Sequence, residues 1–200
     1  MDDNGGEIKE VEGEGRLCIK SPWPSIARTI WGDHKRYKET YFTAYPGYYF
    51  TGDGALRNRE GMYRITGRVD DVIIVSGHNL GTAPIEDGIN EHHEIAESAI
   101  VGFPHEIKGK ALYGFVTLKT TVDNTEKLKA AINKLISSKI VPIAKLDKIQ
   151  FTNGLPKTRS GKIMRRILRK IAEGNPGDLG DISTLLNPEV VEHIKNGSEH

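Results

Sequence analysis

Lys162 lies in the run Leu155–Arg166, LPKTRSGKIMRR, beside a glycine and after a turn-rich stretch containing Asn153, Gly154 and Pro156. An ammonium at the end of a flexible, glycine-bearing loop can be swung onto an anionic substrate. There it stabilises negative charge in phosphoryl or carboxylate chemistry. Ser160 is placed to N-cap the helix that follows, because its hydroxyl can accept a backbone N–H left unpaired in the first turn; that puts Lys162 inside the first turn. Ile163, Met164, Ile167, Leu168 and Ile171 share one helical face, and Lys162, Arg165, Arg166, Arg169 and Lys170 cover the other. By periodicity alone this reads first as a solvated basic face and second as an anion or nucleic-acid surface.

Three further runs carry candidate chemistry. In Tyr48–Gly54, YYFTGDG, Asp53 sits between two glycines, where a carboxylate can accept both hydroxyls of a ribose; an ordinary Asx turn is the local alternative. In Thr66–Asp71, TGRVDD, Arg68 can donate to the same sugar, and a surface salt-bridge cluster is the alternative. Ser76–Thr82, SGHNLGT, precedes a helix, so its glycines permit close approach of a ligand and the helix start favours anions. Its spacing matches neither a Walker A loop nor a dinucleotide fingerprint. His92-His93 lacks zinc-site spacing and a cysteine partner, which makes exposed polar caps the first reading.

These groups must be positioned by a mixed set of elements. Residues 1–15 are polar and glycine-rich, and little order is expected there. Arg16–Lys20 reads as a strand, His34–Phe42 as a helix, and Gly47–Thr51 as a strand ending at the Gly-Asp-Gly run. Met62–Thr66 follows the turn Asn58–Gly61 as another strand, and Val72–Val75 as a buried one. Thr82 caps a helix running to about His92, with Pro84 tolerated in its first turn. Ser98–Gly102, Leu112–Leu118 and Lys148–Thr152 read as strands, Thr125–Ile140 as an amphipathic helix, and Pro188–Ile194 as a weak one. Strands interleaved with helices from residue 71 onward predict a small α/β (α+β) domain over about Asp71–Gly174. Its central sheet is expected to be mostly antiparallel and flanked by helices.

Composition bounds the rest. With 37% hydrophobic and 28% charged residues, the 200-residue chain reads as a folded protein of one domain, or of one domain and part of another. A net charge of +1 argues for neither nucleic-acid nor membrane partners as a whole-chain property. The single Cys18 excludes an internal disulfide and fits a reducing compartment; without a secretion signal or a membrane-length apolar run, a cytoplasmic location is expected.

Taken in order, YYFTGDG, TGRVDD, SGHNLGT and PKTRSGK resemble the ordered motif set of the AMP-forming acyl-CoA synthetases, most nearly the acetate–CoA ligases (acetyl-CoA synthetases). The segments DHKRYKETYF and LGDISTLLNPEVV extend the resemblance almost end to end. It implies the small C-terminal lid domain of adenylate-forming enzymes over residues 70–174, preceded by the distal strands of a larger AMP-binding domain over 1–69 and followed by a tail over 175–200. Lys162 would then be the catalytic lysine, and also a site of regulatory acetylation. Asp53 and Arg68 would hold the ribose of ATP or AMP, Asp70 would be the interdomain hinge, and Ser76 and Gly77 would line the path of coenzyme A.

Two positions depart from the family. Its phosphate-contacting arginine is Asn79 here, and an arginine near the nucleotide end of coenzyme A is Ser137, so positive charge is lost at both. The resemblance also places a Mg²⁺ contact at Asn90, His92 and Ile95. The phosphate loop and acyl pocket of the family's large N-terminal domain have no counterpart in these residues, so that domain would be the required partner, in cis or as a separate chain. The implied reaction is ATP-dependent ligation of acetate to coenzyme A, with the isolated chain inactive. Rival expectations are a stand-alone anion- or nucleic-acid-binding module and a non-catalytic interaction domain.

Overall fold

The computed structural model describes residues 1–120 and 125–197 and resolves into two compact units, Met1–Asp71 and Val72–His200. The first is an antiparallel three-stranded sheet of β1 (Gly13–Ile19), β2 (Tyr49–Arg57) and β3 (Tyr63–Arg68), with the helix α1 (His34–Tyr41) between β1 and β2. Asp33 caps α1 by accepting the Arg36 N–H at 2.9 Å, and Tyr41 stacks on Tyr49 of β2 with centroids 4.9 Å apart. Two sequence expectations shift here. The first strand starts at Gly13, because the Met1 carbonyl accepts the Arg16 N–H at 2.8 Å and holds the start of the chain against β1. Gly-Asp-Gly does not end its strand: β2 runs through it, absorbing Gly52 in the left-handed region (φ 81°) and an irregularity in the β3 pairing between Gly54 and Ala55.

A short 3₁₀ turn, Val69–Asp71, ends the first unit. The second unit opens with the antiparallel hairpin of β4 (Ile73–Val75) and β5 (His78–Leu80), then α2 (Thr82–Asn90), β6 (Ile95–His105), β7 (Gly109–Leu118), α3 (Thr125–Lys139), β8 (Lys148–Thr152), α4 (Arg165–Ala172) and α5 (Glu189–Asn196). Its main sheet has the order β6-β7-β8, with β6 and β7 antiparallel and β7 and β8 parallel. Gly81 rather than Thr82 is the N-cap residue of α2, and Thr82 is its first helical residue, buried.

Side-chain alternation makes this sheet the wall between two cores. Ile100, Leu112 and Val116 face one core, with Ile85 and Ile89 of α2 and Leu128, Ile132 and Ile136 of α3. Ala99, Val101, Tyr113 and Phe115 face the other, with Ile167, Leu168 and Ile171 of α4 and Val190, Val191 and Ile194 of α5. The segment after Gly174 therefore supplies core side chains, Leu179 and Leu185 among them.

One buried polar contact ties these layers together. Glu86 of α2, 8% exposed, accepts the backbone N–H of Ile100 in β6 at 2.8 Å with one oxygen and Arg165 Nη2 at the start of α4 at 2.6 Å with the other. A buried carboxylate is tolerated when both oxygens are paired; removing one partner leaves an uncompensated charge. Glu86→Ala, which leaves the Arg165 guanidinium without this partner, is expected to destabilise the second unit by about 3–5 kcal/mol. Ile132→Ala, a pure cavity, is expected to cost about 2–5 kcal/mol. Urea unfolding followed by circular dichroism checks both, and a change below about 1 kcal/mol for Glu86→Ala would contradict the role given to this pair.

Candidate functional site

Lys162 sits on a β-hairpin and not in a helix. Gly161 N–H donates to Thr158 O at 2.9 Å, closing a turn over Thr158–Gly161, and Gly161 takes the left-handed conformation (φ 83°) that its missing Cβ allows. Thr158 N–H donates to Lys162 O at 2.9 Å, Met164 N–H donates to Pro156 O at 2.8 Å, and Lys157 bridges Ile163. These bonds hold residues 162–164 extended, so helix α4 starts only at Arg165, with Met164 as its uncapped N-cap residue. The capping expected of Ser160 is therefore corrected. Its hydroxyl pairs with Thr158 Oγ1 at 3.0 Å, and Thr158 Oγ1 accepts the Lys162 N–H at 3.1 Å.

The basic run is not a free cationic face. Lys157 pairs with Glu97 of β6 at 2.7 Å, Arg165 with Glu86, and Lys170 with Asp178 at 3.3 Å. Arg166 donates to the carbonyl oxygens of Leu179 and Asp181. Lys162 is exposed, and its ammonium has no ion-pair or hydrogen-bond partner among the described residues. Its backbone is thus fixed while its charge is uncommitted. The anchors Glu86 and Glu97 escape sequence reading because each lies far along the chain from the basic residue it meets.

The fold brings Asp53 and Arg68 together. They are directly paired across β2 and β3, with Arg68 Nη1 at 3.5 Å from Asp53 Oδ1. Arg68 also donates through Nη1 to Thr51 O at 3.0 Å and through Nε to Asp70 Oδ1 at 3.1 Å. Gly52 makes room for this arrangement, since a Cβ there would lie 2.6 Å from the Arg68 guanidinium nitrogens. One half-exposed arginine therefore touches both the carboxylate assigned to the ribose and the one assigned to the hinge. Asp70 itself lies in the 3₁₀ turn at the boundary between the two units.

The remaining candidates lie on separate elements of the second unit. Ser76 and Gly77 form the two-residue turn of the β4–β5 hairpin, both with positive φ (48° and 82°), as a type I′ turn requires. Both are exposed, as is Asn79 on β5. Ser137 on α3 donates to Asn133 O one turn back at 2.7 Å, and it shares a surface cavity with Asn133, Lys134, Ser138 and Lys145. Asn90 ends α2, where its Oδ1 accepts Ser98 Oγ at 2.8 Å. His92 Nδ1 accepts the Glu94 N–H at 3.4 Å, and the His92 carbonyl accepts the Ile95 N–H at 3.0 Å. Among the described residues, no three His, Cys, Asp or Glu side chains gather as a metal-binding group. Of the three residues that the resemblance assigns to a metal, Asn90 and Ile95 offer carbonyl oxygens and His92 an imidazole, a set that suits only a cation taking most of its ligands from water and substrate. Cys18 is no nucleophile candidate: burial in β1 raises its thiol pKa and keeps it protonated.

The chain is similar to known proteins over most of its length. Residues 84–162 match the AMP-binding enzyme C-terminal domain. The acetyl-coenzyme A synthetase of Rhodobacter capsulatus is 57% identical over 187 residues, covering 94% of this chain and 28% of that protein. Its counterpart in Alkalilimnicola ehrlichii is 57% identical over 190 residues, covering 94% of this chain and 30% of that protein. The structure of acetoacetyl-CoA synthetase from Streptomyces lividans superposes with a TM-score of 0.81 at 23% identity, over 98% of this chain and 29% of that one, which shows the shared fold. The chain spans less than a third of the length of the curated relatives it matches. On these matches residues 84–162 are an AMP-binding enzyme C-terminal domain, and the chain as a whole is similar to part of the acetyl-coenzyme A synthetases.

Proposed function

We propose that this chain supplies the lid domain and catalytic lysine of an acetate–CoA ligase that converts acetate, ATP and coenzyme A to acetyl-CoA, AMP and pyrophosphate. The observation that carries this reading is Lys162: an exposed, unpartnered ammonium on a hairpin with a fixed backbone, within a run whose other anchored cations are paired. In the first half-reaction an acetate oxygen attacks the α-phosphorus of ATP and pyrophosphate leaves. Lys162 would bridge acetate and phosphate oxygens, meeting charge that grows in the transition state. Asp53 would accept the ribose hydroxyls and Arg68 would donate to them. In the second half-reaction the coenzyme A thiol attacks the acyl carbon and AMP leaves, along a path bordered by Ser76 and Gly77. Since both nucleophiles belong to substrates, no Ser–His or Cys–His pair is needed.

In this reading residues 70–174 form the lid, 1–69 the end of the larger domain and 175–200 the tail, with Asp70 as the hinge between lid and larger domain. Asn79 is neutral where the family has arginine, so phosphate contact from β5 falls to hydrogen bonding alone. At Ser137, Lys134 and Lys145 of the same cavity can supply the missing positive charge toward the nucleotide end of coenzyme A. Asn90, His92 and Ile95 would hold Mg²⁺, which when bound supplies charge neutralisation. The large domain is the partner, and a cytoplasmic home fits the lone Cys18. A nucleic-acid role loses support because Lys157, Arg165, Arg166 and Lys170 are committed within the fold.

Three outcomes test this reading. The 200-residue chain alone is expected to give background acetate-dependent pyrophosphate exchange; robust exchange would overturn the dependence on a large domain. In the complete protein, Lys162→Ala is expected to slow adenylation by roughly 100-fold or more. The same change should shift stability by no more than about 0.5 kcal/mol, since the side chain is exposed. Thioester formation from preformed acetyl-AMP should survive, and acetylation of Lys162 should mimic the substitution by removing the charge. Equal slowing of both half-reactions would make Lys162 structural. Asp70→Pro fixes φ in the 3₁₀ turn and should impair the two half-reactions unequally; equal small losses would remove the hinge assignment.

A further inference from the structure

The Lys162 hairpin has a neighbour that lies beyond the matched family domain. After α4 the chain turns back, and Leu185 bridges Thr158 in antiparallel fashion while Leu186 N–H donates to Lys157 O at 2.8 Å. Asn187 then grips both sides of Pro156. Its Oδ1 accepts the Lys157 N–H at 3.0 Å, and its Nδ2 donates to the Leu155 carbonyl at 2.9 Å. Proline has no N–H, so residues 155–157 present a carbonyl and an N–H that an amide side chain can satisfy together. Neither a carboxylate nor an apolar side chain carries both groups. Asn187 is itself held, because Leu185 is buried against the second core and α5 follows directly with Val190, Val191 and Ile194 in that core. Gly154 leaves space for this approach, with the place of a Cβ only 3.2 Å from Val190 Cγ2 and 3.8 Å from Asn187 Nδ2.

We propose that Asn187 is a positioning residue for Lys162: the tail amide fixes the entry strand of the hairpin, so the ammonium sweeps from a set origin. Glu86 and Glu97 anchor the same hairpin through side chains, whereas Asn187 anchors its backbone. A displacement of about 1 Å in a catalytic group can cost on the order of 100-fold in rate, which sets the scale of the effect. The proposal rests on the reading of Lys162 as the adenylating lysine.

The test uses the complete protein with Asn187→Ala, Asn187→Asp and, in parallel, Lys162→Ala. Asn187→Ala is expected to slow adenylation roughly 10-fold or more while thioester formation from preformed acetyl-AMP stays within about twofold. Asn187→Asp keeps the acceptor for Lys157 and loses the donor to Leu155, so its adenylation rate should fall between wild type and Asn187→Ala. In the 200-residue chain, Asn187→Ala should also speed tryptic cleavage after Arg159 and Lys162 several-fold, as local opening of the hairpin becomes easier. If Lys162→Ala slows adenylation but both Asn187 variants match wild type, the positioning role is overturned while the reading of Lys162 stands. If Asn187→Ala and Asn187→Asp slow both half-reactions alike, Asn187 is structural and the proposal fails. If Lys162→Ala leaves adenylation unchanged, the reading of Lys162 fails, and this proposal with it.

Discussion

A carboxylate buried in a protein costs several kcal/mol unless both oxygens find donors, and Glu86 meets that demand by joining three elements at one point. Its place on α2, next to Ile85, gives it a buried setting; the Ile100 N–H gives it β6, and Arg165 gives it the first residue of α4. The hairpin bearing Lys162 ends immediately before Arg165, so the ion pair fixes the end of the hairpin through the start of the helix. The Lys157–Glu97 pair fixes its beginning, again on β6. Two acidic residues thus hold the two ends of the Lys162 hairpin and make no claim on its ammonium.

Those two acids can act this way because the sheet that carries Glu97, and whose β6 also binds Glu86, is buried on both faces. Along β7, residues 111–117 are all buried, and alternate side chains feed opposite cores. A strand of that kind tolerates little displacement, since a one-residue slip would exchange the two sets. Gly114 shows how tight the fit is: a Cβ there would lie 2.6 Å from Leu146 Cδ1. The unit can therefore hold loops at its rim in fixed places while leaving their tips exposed.

How much of this was legible in the sequence depended on whether the deciding interaction was local. Lys148–Thr152 reads as a strand and His34–Phe42 as a helix, and both elements form there, because short-range preferences act within a few residues. The pairing of Asp53 with Arg68 was legible as two motifs, and the hairpin between them supplies the register. Ser160 was misread because the Thr158–Gly161 turn looks like a cap followed by a helix when only its residue types are considered. What holds Lys162 and Ile163 extended is their pairing with Thr158 and Lys157 across the turn. Glu86, Glu97 and Asn187 gave no local signal, since their partners lie on other elements and their value comes from burial and from orphaned backbone groups.

The charge pattern of the closing segment becomes intelligible once the paired and unpaired cations are separated. A basic amphipathic stretch suggests a surface that repels other cations and attracts polyanions. Here Lys157, Arg165 and Lys170 each meet a carboxylate, and Arg166 meets two carbonyls, so most of that positive charge is spent inside the fold. Lys162 gains nothing from a partner, and since it precedes α4 on a hairpin it gains nothing as a helix-terminal charge either. A side chain without stabilising contacts on a well-anchored backbone contributes little to folding, so its chemistry can be tuned or blocked independently of stability. Removing the Lys162 charge, by substitution or by modification, would leave untouched the ion pairs and backbone bonds that hold the hairpin in place.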